Sequence, residues 1–190
     1  MATIRPARLN DLPNIEYVCR MTAGTDAREN EEIGLAVAKT FSTYYVCECT
    51  DTCFVLADDN DKAVGYILCE PDYKRFSKLF IKKYAPIIYK IRKENGLMAM
   101  VLPIPYRLFG RKYPAHLHID ILDEYQNMGY GAKLIDTLLT ELKKRNVKGV
   151  MLTASADNDG AIRFYKRLNF KTIVASKKLN GIIMAKNLCD

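Results

Sequence analysis

The 190-residue chain predicts an α/β (α+β) fold, one domain built on a mixed central β-sheet flanked by helices. Three observations carry that expectation. Short runs rich in β-branched and aromatic residues alternate with longer segments of helical periodicity. Two pairs of these runs flank hairpin turns, at Asp58–Lys62 and at Asn180-Gly181. The composition, 49% hydrophobic and 27% charged, is that of a soluble chain able to bury a core of its own.

Ile4-Arg5-Pro6-Ala7 is the first strand, and Asn10 or Asp11 caps a helix with Leu12, Ile15, Val18 and Met21 at helical spacing. A second helix is expected from about Arg28 to Glu48, with Ile33, Val37, Phe41 and Tyr45 (or Tyr44) inward. Cys53 to Ala57 and Ala63 to Cys69 are hairpin partners. Tyr73 to Lys93 reads as helix with a kink at Pro86. The apolar run Leu97 to Leu102 then leads into a proline-bearing stretch, up to Pro114, that reads as irregular loop. Ala115 to Leu122 is a strong strand, followed by a turn and Gly129-Tyr130-Gly131. The next helix turns Leu134, Leu138, Leu139 and Leu142 inward and sets Lys143-Lys144-Arg145 near its negative end. Gly149 to Thr153 is a strand, Asp157 or Asn158 opens another helix, and two strands close the chain at about Phe170 to Ser176 and Gly181 to Lys186.

No stretch approaches the ~20 apolar residues of a membrane span. The N-terminal residues lack the apolar core of a secretory signal, so a cytoplasmic protein without a membrane partner is expected. Six cysteines form no CxxC pair and have no adjacent histidine, which disfavours a metal site. The net charge of +7 is concentrated. Between Pro71 and Tyr113 eleven Lys or Arg face two acids, so this segment supplies +9 and the remainder −2. No nucleic-acid motif accompanies the charge, and a solvated helical face explains it better than a nucleic-acid surface.

Chemistry concentrates at Gln126-Asn127-Met128-Gly129-Tyr130-Gly131-Ala132, between a strand and a helix. Glycines let the backbone approach a ligand closely, and the first helical turn offers unpaired N–H groups and a positive dipole end. A pyrophosphate suits that place; a plain capping turn is the structural alternative. The Lys-Ser/Thr pair of a Walker loop is missing, and Leu134 stands where a Rossmann fingerprint needs its third glycine. Further on, Asn158 and Tyr165 lie two helical turns apart, so both side chains are expected on one face. There an amide binds amide groups of an extended ligand and a phenol protonates a leaving thiolate; a helix cap and a core tyrosine are the plainer readings.

Together these pieces resemble the GNAT superfamily of acetyl-CoA-dependent N-acetyltransferases. The family pattern Q/R-x-x-G-x-G/A stands here as Gln126-x-x-Gly129-x-Gly131, and the later Asn, aromatic-Tyr and Phe as Asn158, Phe164-Tyr165 and Phe170. Asn169 replaces the family glycine before that phenylalanine and can still take a left-handed helix end. The likeness is specific from about Ala115 to Phe170 and absent from Pro71 to Tyr113. It implies a single GNAT domain over residues 1–190, with a substrate-side basic helical insert at about 71–113 before the cofactor-binding strand.

By the same resemblance the co-substrate is acetyl-CoA, the partner an amine acceptor, and no metal is involved. Main-chain groups of Ile119, Asp120 and Ile121 would pair with the pantetheine arm. Amides of Asn127, Met128, Gly129, Tyr130, Gly131, Ala132 and Lys133 would hold the pyrophosphate, Asn158 the pantetheine region, and Tyr165 would act as general acid. The amine attacks the thioester directly. A glutamate that some members place five residues before the asparagine is Thr153 here, so the base lies elsewhere. His116, His118 and Asp120 alternate along the strand and share a face. The paired histidines look like those of arylalkylamine acetyltransferases, one residue closer to the glycine loop. His118 is the favoured base and Asp120 a base or an anchor for the acceptor's ammonium. The insert's positive charge and tyrosines suggest an acidic or aromatic acceptor. A non-catalytic acyl-CoA binder and a nucleic-acid module are the rival functions; the assembly expected is monomer or homodimer.

Overall fold

The computed structural model describes residues 2–176 and 180–189. Seven strands form one sheet: β1 (Thr3–Pro6), β2 (Phe54–Ala57), β3 (Ala63–Glu70), β4 (Ala115–Ile121), β5 (Gly149–Ser155), β6 (Lys171–Ser176) and β7 (Gly181–Asn187). Their order is β1-β2-β3-β4-β5-β7-β6, and every pairing is antiparallel except β4 with β5. Ten helices of the described residues flank it: α1 (Leu12–Thr22), α2 (Thr25–Glu29), α3 (Glu31–Ala38), α4 (Tyr44–Glu48), α5 (Tyr73–Leu79), α6 (Ala85–Ile91), α7 (Lys93–Val101), α8 (Pro103–Phe109), α9 (Tyr130–Lys144) and α10 (Asp159–Arg167).

Period-2 alternation along the strands divides the core in two. On β3, Tyr66 and Leu68 join the layer of α1, α4 and the helical segment 71–113, termed the insert below, while Ile67 and Cys69 join the layer of α9 and α10. The apolar stripe of α9, Leu134, Ile135, Leu138, Leu139 and Leu142, is buried in that second layer. At roughly 1.5–3 kcal/mol per buried aliphatic side chain, such a stripe fixes which face α9 presents. Its opposite end, at Gly129, is thereby held at the rim of the sheet.

Four local expectations need correction. The helix expected from Arg28 is split, because Asn30 leaves helical geometry and its side chain caps α3 through the Ile33 N–H. α3 then reaches α4 through a π-helical turn, Lys39–Thr43, in which Thr40 and Ser42 donate to carbonyls four residues back. Asp11 precedes α1 but does not cap it, since its carboxylate accepts from the Arg5 guanidinium and the Arg8 N–H. The proline-bearing stretch read as loop is helical over Pro103–Phe109, as α8, and the apolar run before it lies mostly in α7, packed on α6. Gly96 makes this possible: a Cβ there would lie 2.3 Å from the Tyr89 Cα, so α7 packs directly on α6. Pro103 opens α8, where no intrahelical N–H is needed. Pro86 likewise starts α6, and the kink expected there is a π-helical turn over Phe80–Tyr84. β6 and β7 pair as expected, with Asn180 left-handed at φ 43°, while 177–179 of their turn lie outside the described residues.

Candidate active site

β4 and β5 run together for only two residue pairs, Ala115 with Val150 and His116 with Met151. Beyond them β4 continues against β3 to Ile121, and β5 against β7 to Ser155. The facing backbone edges therefore part, and the sheet opens into a cleft along 118–121 and 152–155. Such edges carry donors and acceptors that an extended ligand can satisfy.

At the mouth of that cleft lies the glycine loop. Gln126 holds it to the strand, its side-chain amide donating to the Ile121 carbonyl at 2.8 Å and to Asp123 at 2.9 Å. Asn127 (φ 59°) and Gly129 (φ 81°) are left-handed, which turns the chain so that Gly129 becomes the N-cap of α9. No side chain caps this end, and a Cβ built on Gly129 would meet nothing within 4 Å. The approach to the first-turn amides is open, as an anion requires. Gly131 faces inward: a Cβ there would come within 3.2 Å of the Phe164 ring and 3.8 Å of Ile121. Loop, strand end and α10 thus meet at one point.

Asn158 is the N-cap of α10, its side-chain oxygen accepting the Ala161 N–H at 2.9 Å, with non-helical backbone (φ −86°, ψ 72°). The two residues two turns apart differ in burial: Asn158 is exposed, whereas Tyr165 is buried against Phe164 and Phe170. Asn169 ends the helix left-handed at φ 62°. Burial, and next the charge of Asp120, push the Tyr165 phenol well above its ordinary range, so it keeps its proton at neutral pH. Tyr165 belongs to the α9–α10 layer and Asp120 to the opposite face; the cleft is where the two faces communicate.

On that opposite face His116, His118 and Asp120 do share a side of β4, yet their surroundings differ. His118 and Asp120 are part-exposed, 28% and 24%, and 3.5 Å apart. Tyr66 of β3 donates to Asp120 Oδ2 at 2.5 Å and lies 3.1 Å from His118 Nδ1. The Phe41 ring, in the π-helical turn, stacks over His118 at 5.3 Å. Tyr66 is the functional candidate that sequence reasoning missed, since it sits within an apolar run and only the β3–β4 register sets it opposite Asp120.

His116, by contrast, is fully buried and enclosed by Tyr106 (stacked at 4.0 Å), Phe76 and Tyr45. Neither ring nitrogen has a hydrogen-bond partner, and burial lowers its pKa to about 3. It is sealed from the cleft and drops out as a base. Two of the enclosing rings come from the insert, from α5 and α8. The Tyr106 phenol, raised by burial, has the Thr153 side chain beside it, on β5 five residues before Asn158. The insert's Lys74, Lys78, Lys82, Lys83 and Lys90 are exposed, and Tyr84, Tyr106 and Tyr113 are core residues. Burial thus withdraws three of the segment's five tyrosines from solvent, while Tyr73 is half-buried and Tyr89 exposed. All six cysteines are free thiols, and among the described residues no group of three metal-binding side chains occurs.

Comparison with known proteins matches this arrangement. Residues 24–170 match the Acetyltransferase (GNAT) family. N-alpha-acetyltransferase 30 of Schizosaccharomyces pombe is 27% identical over 127 residues, 67% of this chain but only 62% of that relative's length. The crystal structure of SsHAT is 30% identical and superposes with a TM-score of 0.85, covering 100% of this chain and 99% of its own. PH1933 from Pyrococcus horikoshii OT3, 22% identical over 98% of both chains, shares the fold with a TM-score of 0.66. With most of its length inside the family match and the parted β4–β5 pair at its centre, the chain belongs to the GNAT acetyltransferase family.

Proposed function

We propose that this protein is an acetyl-CoA-dependent N-acetyltransferase acting on a primary amine of a small molecule or peptide. The observation that carries the proposal is the open, left-handed glycine turn at the end of a strand that has lost its neighbour. The fit is steric as well as electrostatic: no side chain occupies the α9 N-terminus, and a Cβ at Gly129 would project into empty space. Amides of 127–133 would hold the diphosphate, and backbone of Ile119, Asp120 and Ile121 would pair with the pantetheine arm. Asn158, whose side-chain oxygen is used in its own cap, would offer its amide N–H groups to the same arm.

His118 would take the proton that the attacking amine must lose, and Asp120 would draw the acceptor's ammonium into the cleft. The amine then attacks the thioester carbonyl, the C–S bond breaks, and the proton of Tyr165 goes to the departing sulfur. An N–H near Ile121 would support the oxyanion, a contribution of about 3 kcal/mol in comparable sites. Asp120, rather than the solvated lysines of the insert, is the charge nearest the acceptor, which favours cationic amines over acidic ones.

The test is a panel of amines and short peptides incubated with acetyl-CoA while free thiol is followed. Thiol release with selected amines supports the proposal. Binding of CoA with no release for any amine would establish a non-catalytic binder instead.

A further inference from the structure

Tyr66 takes no part in the steps above, yet its hydroxyl stands between the two side chains those steps need. It reaches Asp120 Oδ2 at 2.5 Å and His118 Nδ1 at 3.1 Å. A phenol has one proton to give. The carboxylate is the stronger acceptor and the shorter contact, so the proton goes there. The second contact is then a hydrogen bond only if Nδ1 carries a proton and the phenol oxygen accepts it. Consequently the imidazole has its lone pair on Nε2. Stacking of Phe41 over the ring at 5.3 Å, and of Tyr66 at 5.8 Å, restricts its rotation.

We infer that Tyr66 is a positioning residue: donating to Asp120 and accepting from Nδ1 of His118, it holds the imidazole in the tautomer whose Nε2 faces the acceptor amine. The inference rests on the assignment of His118 as base and adds what makes it one. When Nε2 takes the amine's proton, both imidazole nitrogens carry hydrogen and the new positive charge lies 3.5 Å from Asp120. No proton needs to cross Tyr66. The neighbours are suited to a fixed network. From α1 the Cys19 thiol is pushed up to about 12, chiefly by burial and then by Asp120, so it stays neutral. Glu16, also on α1, is held by Lys39 and by the Thr43 hydroxyl. On α10, in the layer across the sheet, the Tyr165 phenol is raised by burial and then by the Asp120 charge, so it stays protonated.

Nitrogen-15 NMR of the histidine rings tests this directly, because the chain has only two histidines and His116→Phe identifies the other. Expected for neutral His118 is a protonated Nδ1 and a bare Nε2. In Tyr66→Phe, which keeps the ring, the tautomers should mix and kcat should fall by about tenfold with the KM for acetyl-CoA unchanged. Asp120→Asn supplies a second arm: the weaker acceptor frees the phenol proton for Nδ1, and His118 should move toward the Nε2–H form. A merely structural Tyr66 would lower the melting temperature and leave the tautomer alone. Protonated Nε2 in the wild-type protein, or an unchanged tautomer in both variants, overturns the inference. Full activity in His118→Ala would overturn the base assignment instead, whatever the spectra show.

Discussion

One strand holds two histidines, two residues apart and on the same side, in opposite circumstances. His116 lies where β4 still has β5 beside it and the insert above it, dry, unpartnered and held neutral. His118 lies just past the point where the strands part, half-open and bound to a polar network. Residue type, strand and face are common to both. What differs is the cover: the insert contributes Phe76 and Tyr106 over one, and the cleft leaves the other reachable. Chemistry here is decided by what packs on the strand, not by the strand's own residues.

The largest expected effect separates the two positions by rate. His118→Ala and Tyr165→Phe should each lower kcat by about 10² or more, while His116→Phe leaves it near wild type. Steady-state thiol release with the best acceptor measures this; equal losses at 116 and 118 would erase the distinction. The second effect separates them by stability. The folded pKa of His116, about 3, lies below its ordinary 6.5. Below pH 6.5 the unfolded chain binds a proton that the native one refuses, so stability is full above that pH and declines as pH falls toward 3. The slope is about 1.4 kcal/mol per pH unit for one group, or about 2 kcal/mol by pH 5. Urea unfolding at pH 7.5 and 5.0 should show His116→Phe sparing that much relative to wild type, with other titrating groups common to both proteins.

A smaller effect belongs to the open half alone. Gly129→Ala places a side chain at φ 81° and should cost about 1–2 kcal/mol in strain without any clash. Acetyl-CoA affinity, by calorimetry, should fall with it; unchanged affinity would argue against ligand contact at that turn. The smallest effect belongs to the closed half. Lys82→Gln with Lys90→Gln, both exposed on the insert, should leave the KM for the amine unaltered. A raised KM would restore the insert's charge to a role in acceptor binding.

The stretch from Ala115 to Phe170 was legible because its signals are local: a strand, left-handed glycine and asparagine positions, and a capped helix follow each other within one segment. The helix α8 was not, because Pro103 and Pro105 read as breakers although the first turn of a helix tolerates them. Nor was the fate of His116, since alternation assigns a face but not the residues that cover it, and these lie in a distant helical segment. Tyr66 needed the register of β3 on β4, which one-dimensional pattern does not provide.

The parted strands also make the protein's thermal resistance a property of its surroundings. Backbone groups along the split lack a strand partner, and an acyl-CoA held there as proposed would supply one. Occupancy at a hundred times Kd adds about 2.7 kcal/mol, or roughly 5–10 °C in Tm at this chain length. The melting curve therefore doubles as a gauge of acyl carrier, able to rank thioesters of different chain length before any acceptor has been found.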